Sequence, residues 1–588
     1  LLLAIALDMA IGRSIYHPLV HIYRLTNWGL CQRSAITCNY DEPTQAPLGQ
    51  AAVATSHHEA TRVGIEILEQ GGNAIDAATA IAYSLAVTHP CCGNLGGGGF
   101  MTIRLADGTT TFINFREVAP LAATPTLYQN ESGEVIEGLS TEGYLAVALP
   151  GTVAGIEYAR AKYGSGQLSR SELIEPARKL AAEGFILSES GAQLLKRHTK
   201  KFRQHPNVAE IFLNQGQPFR AGDRLVQTDL AQTLAQIAEG GEQAFYEGAI
   251  AQSIVDASTK NGGILSLDDF AAYQVEESSP LSCNYRGFTI ITTPPPGGGP
   301  VLCQMLGTIE GFPIGDLDYH SGEHLHWLLA SMLFAYRDRN FYLGDPNFVD
   351  VPLDRLLSED YLISLQKQIP EYKALSPKNQ FSAPDSEGEN TTHFSVVDSA
   401  GNAVSVTYTI NTFFGSGIIA GDTGFFLNNE MDDFTAKPGA VNSFGLKQGL
   451  ANQIEPGKRP LSSMSPTIVL DKNQDLYLVT GSPGGPTIPT TVLQTISNLI
   501  DFKMTANEAV NQPRFHYQGA PNIVLVEPLG LSGSSYINLW ERGYRVSPFL
   551  NWGAAMSIGG RTDSLQPIRD VRRLQGGAAA CQESCVVD

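Results

Sequence analysis

The 588-residue chain is 43% hydrophobic and 17% charged, enough apolar material for a large core and incompatible with wholesale disorder. Acids exceed bases 59 to 39, a formal net charge of −20, which disfavours phosphate backbones and anionic bilayers as partners. No run approaches 18 uninterrupted apolar residues, so no transmembrane helix is expected, and eight cysteines are too sparse for a disulfide scaffold.

The chain opens LLLAIALDMAIG, an apolar stretch broken by Asp8, which reads either as the remnant of an export signal or as the plain start of the chain. Residues 1–50 are irregular in pattern. Residues 57–70 have helical spacing ended by Gly71-Gly72, and Asn73 caps a second, Ala-rich helix over 74–87 whose apolar circumference predicts burial. His89-Pro90 ends it. A glycine-rich loop, 94–99, leads into a strand over 100–105, a turn at Asp107-Gly108 and a returning strand over 110–115. Residues 150–275 read as mainly helical, Thr293 to Pro300 as a rigid loop, and 321–342 as a long helix. Residues 376–390 are polar and acidic, an exposed connector, after which strands are expected over 392–398 and 403–410 around a turn at 399–402. Residues 391–588 hold 16 acids and 13 bases, so the acidity lies in the helical part and the strand-rich part is nearly neutral.

Several readings fail. His58-Glu59 begins a zincin-like motif, but Arg62 stands where the second ligand belongs. There is no nucleophile elbow and no Walker loop, and Gly96 to Gly99 lack a phosphate-binding lysine. Adjacent Cys91 and Cys92 are poorly placed to bridge each other. Cys581 and Cys585 have no second Cys/His pair to complete a zinc site, and read as part of a loose tail. Neither a metal nor an organic cofactor is expected.

The informative point is Glu389-Asn390-Thr391-Thr392-His393, where the acidic connector runs into a strand at a threonine. Cleavage before Thr391 would give it a free α-amine, of reference pKa about 7.7–8.0, beside its own hydroxyl. Nucleophile and base would then reside in one residue.

The stretch HFSVVDSAGNAVSVTYTINTFFGSGIIAGDTGFFLNNEMDDF, followed by KRPLSSMSPTIV and TGSPGGP, resembles the γ-glutamyltransferase (γ-glutamyl transpeptidase) family. So do GGNAIDAATA, GNLGGGGFM, NFREVAP at 114–120, LPGTVAG at 149–155 and YLGDPNFVDVP at 342–352. The resemblance implies an α+β fold, the αββα sandwich of N-terminal-nucleophile hydrolases, made as one precursor that cuts itself between Asn390 and Thr391. It implies a helix-rich large subunit, 51–390 after the leader, and a strand-rich small subunit, 391–588, which together form a heterodimer. The implied chemistry is attack of Thr391 on the γ-carbonyl of glutathione or a related compound, with passage of the γ-glutamyl group to water or to an amino acid or peptide.

By the same resemblance Thr409 hydrogen-bonds the nucleophile; the hairpin puts it opposite Thr391 or Thr392. Arg116 offers a planar fork to the substrate carboxylate, Ser462 and Ser463 are neutral donors to it, and Asn411, Glu430 and Asp433 suit the ammonium. Backbone amides at Gly484 and Gly485 would meet the oxyanion. Residues 437–449 correspond to a lid, with Phe444 where a tyrosine gate is common. Bacterial relatives imply a periplasmic or extracellular location. The segment after about Ile558 does not align with the family and shows little strand alternation, so 559–588 reads as an atypical tail. The alternatives are a β-lactam or glutaryl acylase of the same superfamily, or an unprocessed, inactive binding protein.

Overall fold

The computed structural model describes residues 48–375, 390–549 and 552–581. Most of the expected leader and connector, at 1–47 and 376–389, lies outside them.

Two antiparallel sheets form the centre. The first is built from β1 (Ala51–Thr55), β2 (Gly98–Arg104), β3 (Thr110–Phe115), β4 (Glu276–Ser278), β7 (Thr391–Val397), β8 (Ala403–Thr409) and β13 (Gly577–Cys581), in the order β13-β1-β7-β8-β2-β3-β4. The second has β5 (Leu281–Tyr285), β6 (Phe288–Thr292), β9 (Thr467–Leu470), β10 (Leu476–Thr480), β11 (Ser557–Arg561) and β12 (Ser564–Ile568), in the order β12-β11-β10-β9-β6-β5. Ala52, Ala54, Val397 and Ala403 of the first sheet pack against Ile291, Ile468, Val479 and Ile558 of the second. Small residues on one face and branched ones on the other let the sheets close on each other.

Helices cover both outer faces, so the α+β, αββα sandwich expected from the resemblance is the fold observed. On the first sheet lie α1 (His58–Glu69), α2 (Ala74–Thr88), α3 (Thr152–Tyr163) and α4 (Arg170–Glu183), in one core with Phe394, Val396, Val404 and Val406. On the second lie α5 (Gly299–Ile309), α6 (Gly322–Tyr342) and α7 (Thr487–Ile500), packed with Val469 and Leu478. The Ala-rich α2 is buried along its whole length, as its composition requires. Asn73 and Asp76 form a reciprocal capping box at its start. Among the described residues no helix is long and apolar enough to cross a membrane.

Three expectations need correction. Cys91 and Cys92 are bonded to each other in the turn after α2, Cys283 is bonded to Cys303, and Cys581 is also in a disulfide. Adjacency does not forbid a bridge where a tight turn brings both sulfurs to one side. The described part of the tail is not loose: β11 and β12 complete the second sheet, and β13 forms an edge of the first by pairing Gly577–Cys581 with Ala51–Thr55. The Gly-Ala-Ala-Ala sequence has weak strand propensity, and the backbone ladder with β1 imposes the strand instead. Asn390, expected in an exposed connector, is buried.

Candidate active site

Strand β7 reads Thr-Thr-His-Phe-Ser-Val-Val, so its alternation puts Thr391, His393 and Ser395 on one face and Thr392, Phe394 and Val396 on the other. The polar face looks toward the second sheet, where Ser395 Oγ donates to the Met556 carbonyl at 2.8 Å. His393 bonds Thr407 Oγ1 at 2.9 Å and Ser395 Oγ at 3.2 Å, and burial holds its imidazole down to about 3. It is a neutral strut under the nucleophile strand, with Gly481 so close that a Cβ there would meet its ring at 2.4 Å.

The register between β7 and β8 pairs Thr409 with Thr391, which decides the choice that the hairpin pattern left open. Thr391 Oγ1 donates to Thr409 Oγ1 at 3.3 Å, and Thr409 Oγ1 donates to the Asn390 carbonyl at 3.4 Å. One hydroxyl thus touches both the Thr391 hydroxyl and the Asn390 carbonyl, the two groups on either side of the cut expected from the sequence. The Asn411 amide adds a third bond to Thr409, at 2.9 Å, which fixes the rotamer. The glycine loop makes this possible: a Cβ on Gly97 would lie 1.9 Å from the Thr409 carbonyl.

Thr391, Thr409, Asn411, Glu430, Asp433, Ser462, Ser463 and Gly485 line one narrow cavity. Glu430 and Asp433 sit on a single 3₁₀ turn, Glu430–Asp433, which converges the two acids as their spacing allows. The 293–300 loop holds the serine pair, through the Ser462 amide to the Pro296 carbonyl at 2.8 Å and the Gly298 amide to the Met464 carbonyl at 2.9 Å. Gly484 and Gly485 stand just before α7, and their amides donate no hydrogen bond among the described residues. Gly485 lines the cavity with Thr391 and Gly484 does not, and unspent N–H groups are what an oxyanion site needs.

Arg116 is placed differently from expectation. Fully buried, it does not line the cavity. Its Nη1 donates to Glu430 and, at 3.2 Å, to Glu117, while Nη2 donates to Asp433 at 2.5 Å and Nε to the Pro460 carbonyl at 3.2 Å. A guanidinium in a dry interior takes every carboxylate within reach. The cation that does line the cavity is Arg339 of α6, which the sequence alone does not single out because an isolated arginine near the end of a long helix carries no motif. It is 2% exposed and bonds only neutral oxygens, of Asn340 and Gln448 at 3.2 Å each, leaving Nε unpartnered. Burial lowers its pKa to about 10.

The segment 437–449 closes over the site. Asp432 accepts from the Ser443 amide at 3.0 Å, from Ser443 Oγ at 2.5 Å and from Ser140 Oγ at 2.7 Å, and Gln518 Nε2 donates to the Phe444 carbonyl at 3.2 Å. Phe444 and Leu446 line the cavity, and a Cβ on Gly485 would come 2.9 Å from the Phe444 ring.

Comparison with known proteins gives a consistent result. The family model described as Gamma-glutamyltranspeptidase matches residues 60–580. A glutathione hydrolase proenzyme of Pseudomonas sp. (strain A14) is 47% identical over 545 residues, covering 91% of this chain and 94% of the relative. Among solved structures, a cephalosporin acylase from Bacillus halodurans superposes with a TM-score of 0.82 at 27% identity, over 93% of this chain and 99% of that one. The Helicobacter pylori gamma-glutamyltranspeptidase aligns at 41% identity with a TM-score of 0.53, over 54% of this chain and 92% of its own.

Proposed function

The chain belongs to the gamma-glutamyltranspeptidase family, and we propose that it is a self-processing γ-glutamyltransferase and glutathione hydrolase in which Thr391 is the nucleophile. The observation that carries this is the hydroxyl chain from Thr391 through Thr409 to the Asn390 carbonyl, at the edge of a cavity bearing acids, hydroxyls and open amides. In the precursor, Thr391 Oγ1 attacks the Asn390 carbonyl carbon while Thr409 supports the carbonyl oxygen. The acyl group moves from nitrogen to oxygen, and water hydrolyses the resulting ester.

In the mature enzyme the freed amine takes the Thr391 hydroxyl proton, the oxygen attacks the γ-carbonyl, and the oxyanion meets the Gly484 and Gly485 amides. One such donor is worth about 3 kcal/mol. The amine then returns its proton to the leaving nitrogen, leaving a γ-glutamyl ester on Thr391. Water or an amino acid or peptide amine completes the cycle. The substrate's α-ammonium faces Glu430, Asp433 and Asn411. Its α-carboxylate faces the Ser462 and Ser463 hydroxyls and the guanidinium of Arg339, while Arg116 acts from behind through the acids it holds.

The cut leaves a large subunit ending at Asn390 and a small one, 391–588. They stay together because both parts contribute strands to both sheets: in the first, β1 lies between β13 and β7 and β8 pairs with β2, and in the second β6 pairs with β9. All five described cysteines are in disulfides, which supports an exported, oxidising setting.

Release of the chromophore from L-γ-glutamyl-p-nitroanilide, with a fragment beginning Thr-Thr-His-Phe by N-terminal sequencing, is the test. Thr391→Ala is expected to stop both cleavage and turnover; a variant that still splits contradicts self-processing. A single uncut, inactive band from the wild-type protein would favour the binding-protein alternative. The acylase alternative keeps the fold and changes the substrate; Ser462, Ser463 and Asp433, which line the cavity and suit an amino-acid head, speak against it. Turnover of a glutaryl amide as fast as glutathione would favour it.

A further inference from the structure

One guanidinium, three carboxylates and a charge deficit make up the wall of the head-group site. Arg116 Nη1 is shared by Glu117 and Glu430, and Asp433 takes Nη2. Glu117 and Glu430 are buried, at 0% and 1% side-chain exposure, and each keeps one oxygen, Glu117 Oε1 and Glu430 Oε2, with no hydrogen-bond partner among the described residues. Ionised carboxylate oxygens are not left bare in a dry interior, whereas a carboxylic acid needs fewer acceptors satisfied. Gly98 seals the back of Glu117, since a Cβ there would lie 2.7 Å from its Oε2.

The surrounding charges do not remove the deficit. Arg339 is the next cation, reaching the cluster from α6 on the Asp433 side. From the helical side Glu117 is faced by the phenols of Tyr246 and Tyr273, which burial keeps neutral. Burial pushes the Glu117 carboxyl up to about 7 against the pull of Arg116, and pushes Glu430 well above the carboxylate range. A second cation at Glu430 would reverse this, and the substrate's α-ammonium is one.

Resting on the γ-glutamyl reading above, we infer that Glu117 and Glu430 share one proton in the empty site and that the arriving α-ammonium displaces it to solvent. Recognition of the head group is then coupled to proton release. Glu117, which touches Arg116 and not the cavity, is a positioning residue that sets this coupling through Glu430.

The test is titration calorimetry of the mature enzyme with L-glutamate at pH 7, in two buffers of different ionisation enthalpy, with glutarate as the control. Glutarate keeps both carboxylates and lacks the ammonium, so any proton exchanged at the Thr391 amine cancels in the difference. The expected excess for L-glutamate over glutarate is about half to one proton released per site, falling to near zero in Glu430→Gln and reduced in Glu117→Gln. A second readout, the protonated-carboxyl infrared band, should be lost when L-glutamate binds the wild type. An excess near zero in the wild type, or one unchanged in Glu430→Gln, overturns the inference while leaving the γ-glutamyl reading intact. Failure of L-glutamate to bind at all overturns both.

Discussion

Two buried ion clusters in this molecule use the same residue types to opposite ends. Behind the tail strands, Arg514 Nη2 meets Asp570 at 2.5 Å, and Arg572 meets Asp570 at 3.0 Å and Glu527 at 2.5 Å. Two cations face two acids, and no fully buried polar side-chain atom of the four is left unpartnered among the described residues. Beneath the cavity one cation faces three acids, two of which keep a bare oxygen, and a second cation stands apart without a carboxylate. A balanced cluster is complete and clamps the structure. An unbalanced one is stable only with a proton or a ligand in place, which is the condition of a binding site.

The contrast breaks if Asp570→Ala and Asp433→Ala behave alike. Asp570→Ala strands two buried guanidinium groups with one acid between them. It should cost about 3–5 kcal/mol of stability in chemical unfolding, with kcat/KM per folded molecule unchanged. Asp433→Ala leaves Arg116 with two acids and should move the unfolding midpoint little. It should cost roughly a hundredfold in kcat/KM for L-γ-glutamyl-p-nitroanilide, within the 2–5 kcal/mol typical of a lost buried charge partner. Arg339→Gln removes a buried charge that no acid neutralises, so stability should hold or rise. KM should increase about tenfold, as expected for losing a charged partner worth about 1.5 kcal/mol. No change in KM would exclude Arg339 from the site.

The clusters also carry opposite pH signs, a smaller effect. Burial pushes Asp570 up, but Arg514 and Arg572 outweigh it and hold its carboxyl well below the usual range. Its contribution is present above the unfolded carboxylate value of about 4 and is lost as pH falls through the depressed value. Glu117 and Glu430 are raised, so the folded chain holds more protons than the unfolded one from about pH 4 upward, to about 7 for Glu117, and their contribution weakens as pH rises through their raised values. Glu117→Gln should therefore gain thermal midpoint relative to wild type between pH 5 and pH 8, and an unchanged difference would contradict the raised value. The smallest effect is expected from Phe444→Tyr: an added hydroxyl at the lid should change the ratio of transfer to hydrolysis by less than tenfold, measured with and without a dipeptide acceptor.

Much of the site was legible because its signals are local. The capped α2 and the hairpin around 399–402 follow from spacing within a few residues, and the 430–433 acid pair and the serine pair from short motifs that carry the family resemblance. What was not legible depends on distant partners. Glu117 and Arg339 lie 222 positions apart and are drawn to one wall by different layers of the sandwich. The strand at Gly577–Cys581 exists because β1, more than 500 residues earlier, offers it a ladder. Arg116 looked like a free fork because only Glu117 of its three acids is a sequence neighbour, while Glu430 and Asp433 come from more than 300 residues later.

The sequence by itself carried the local helices and strands in short-range pattern and, through motifs that resemble one family, pointed to Thr391, to a cut before it and to residue types that suit a zwitterionic head. Only the tertiary structure decided the register that pairs Thr409 with Thr391, the conversion of the tail into sheet edges, and which arginine is spent and which is free. Those outcomes are set by burial and charge balance, which exist only once residues far apart in the chain share the same dry interior.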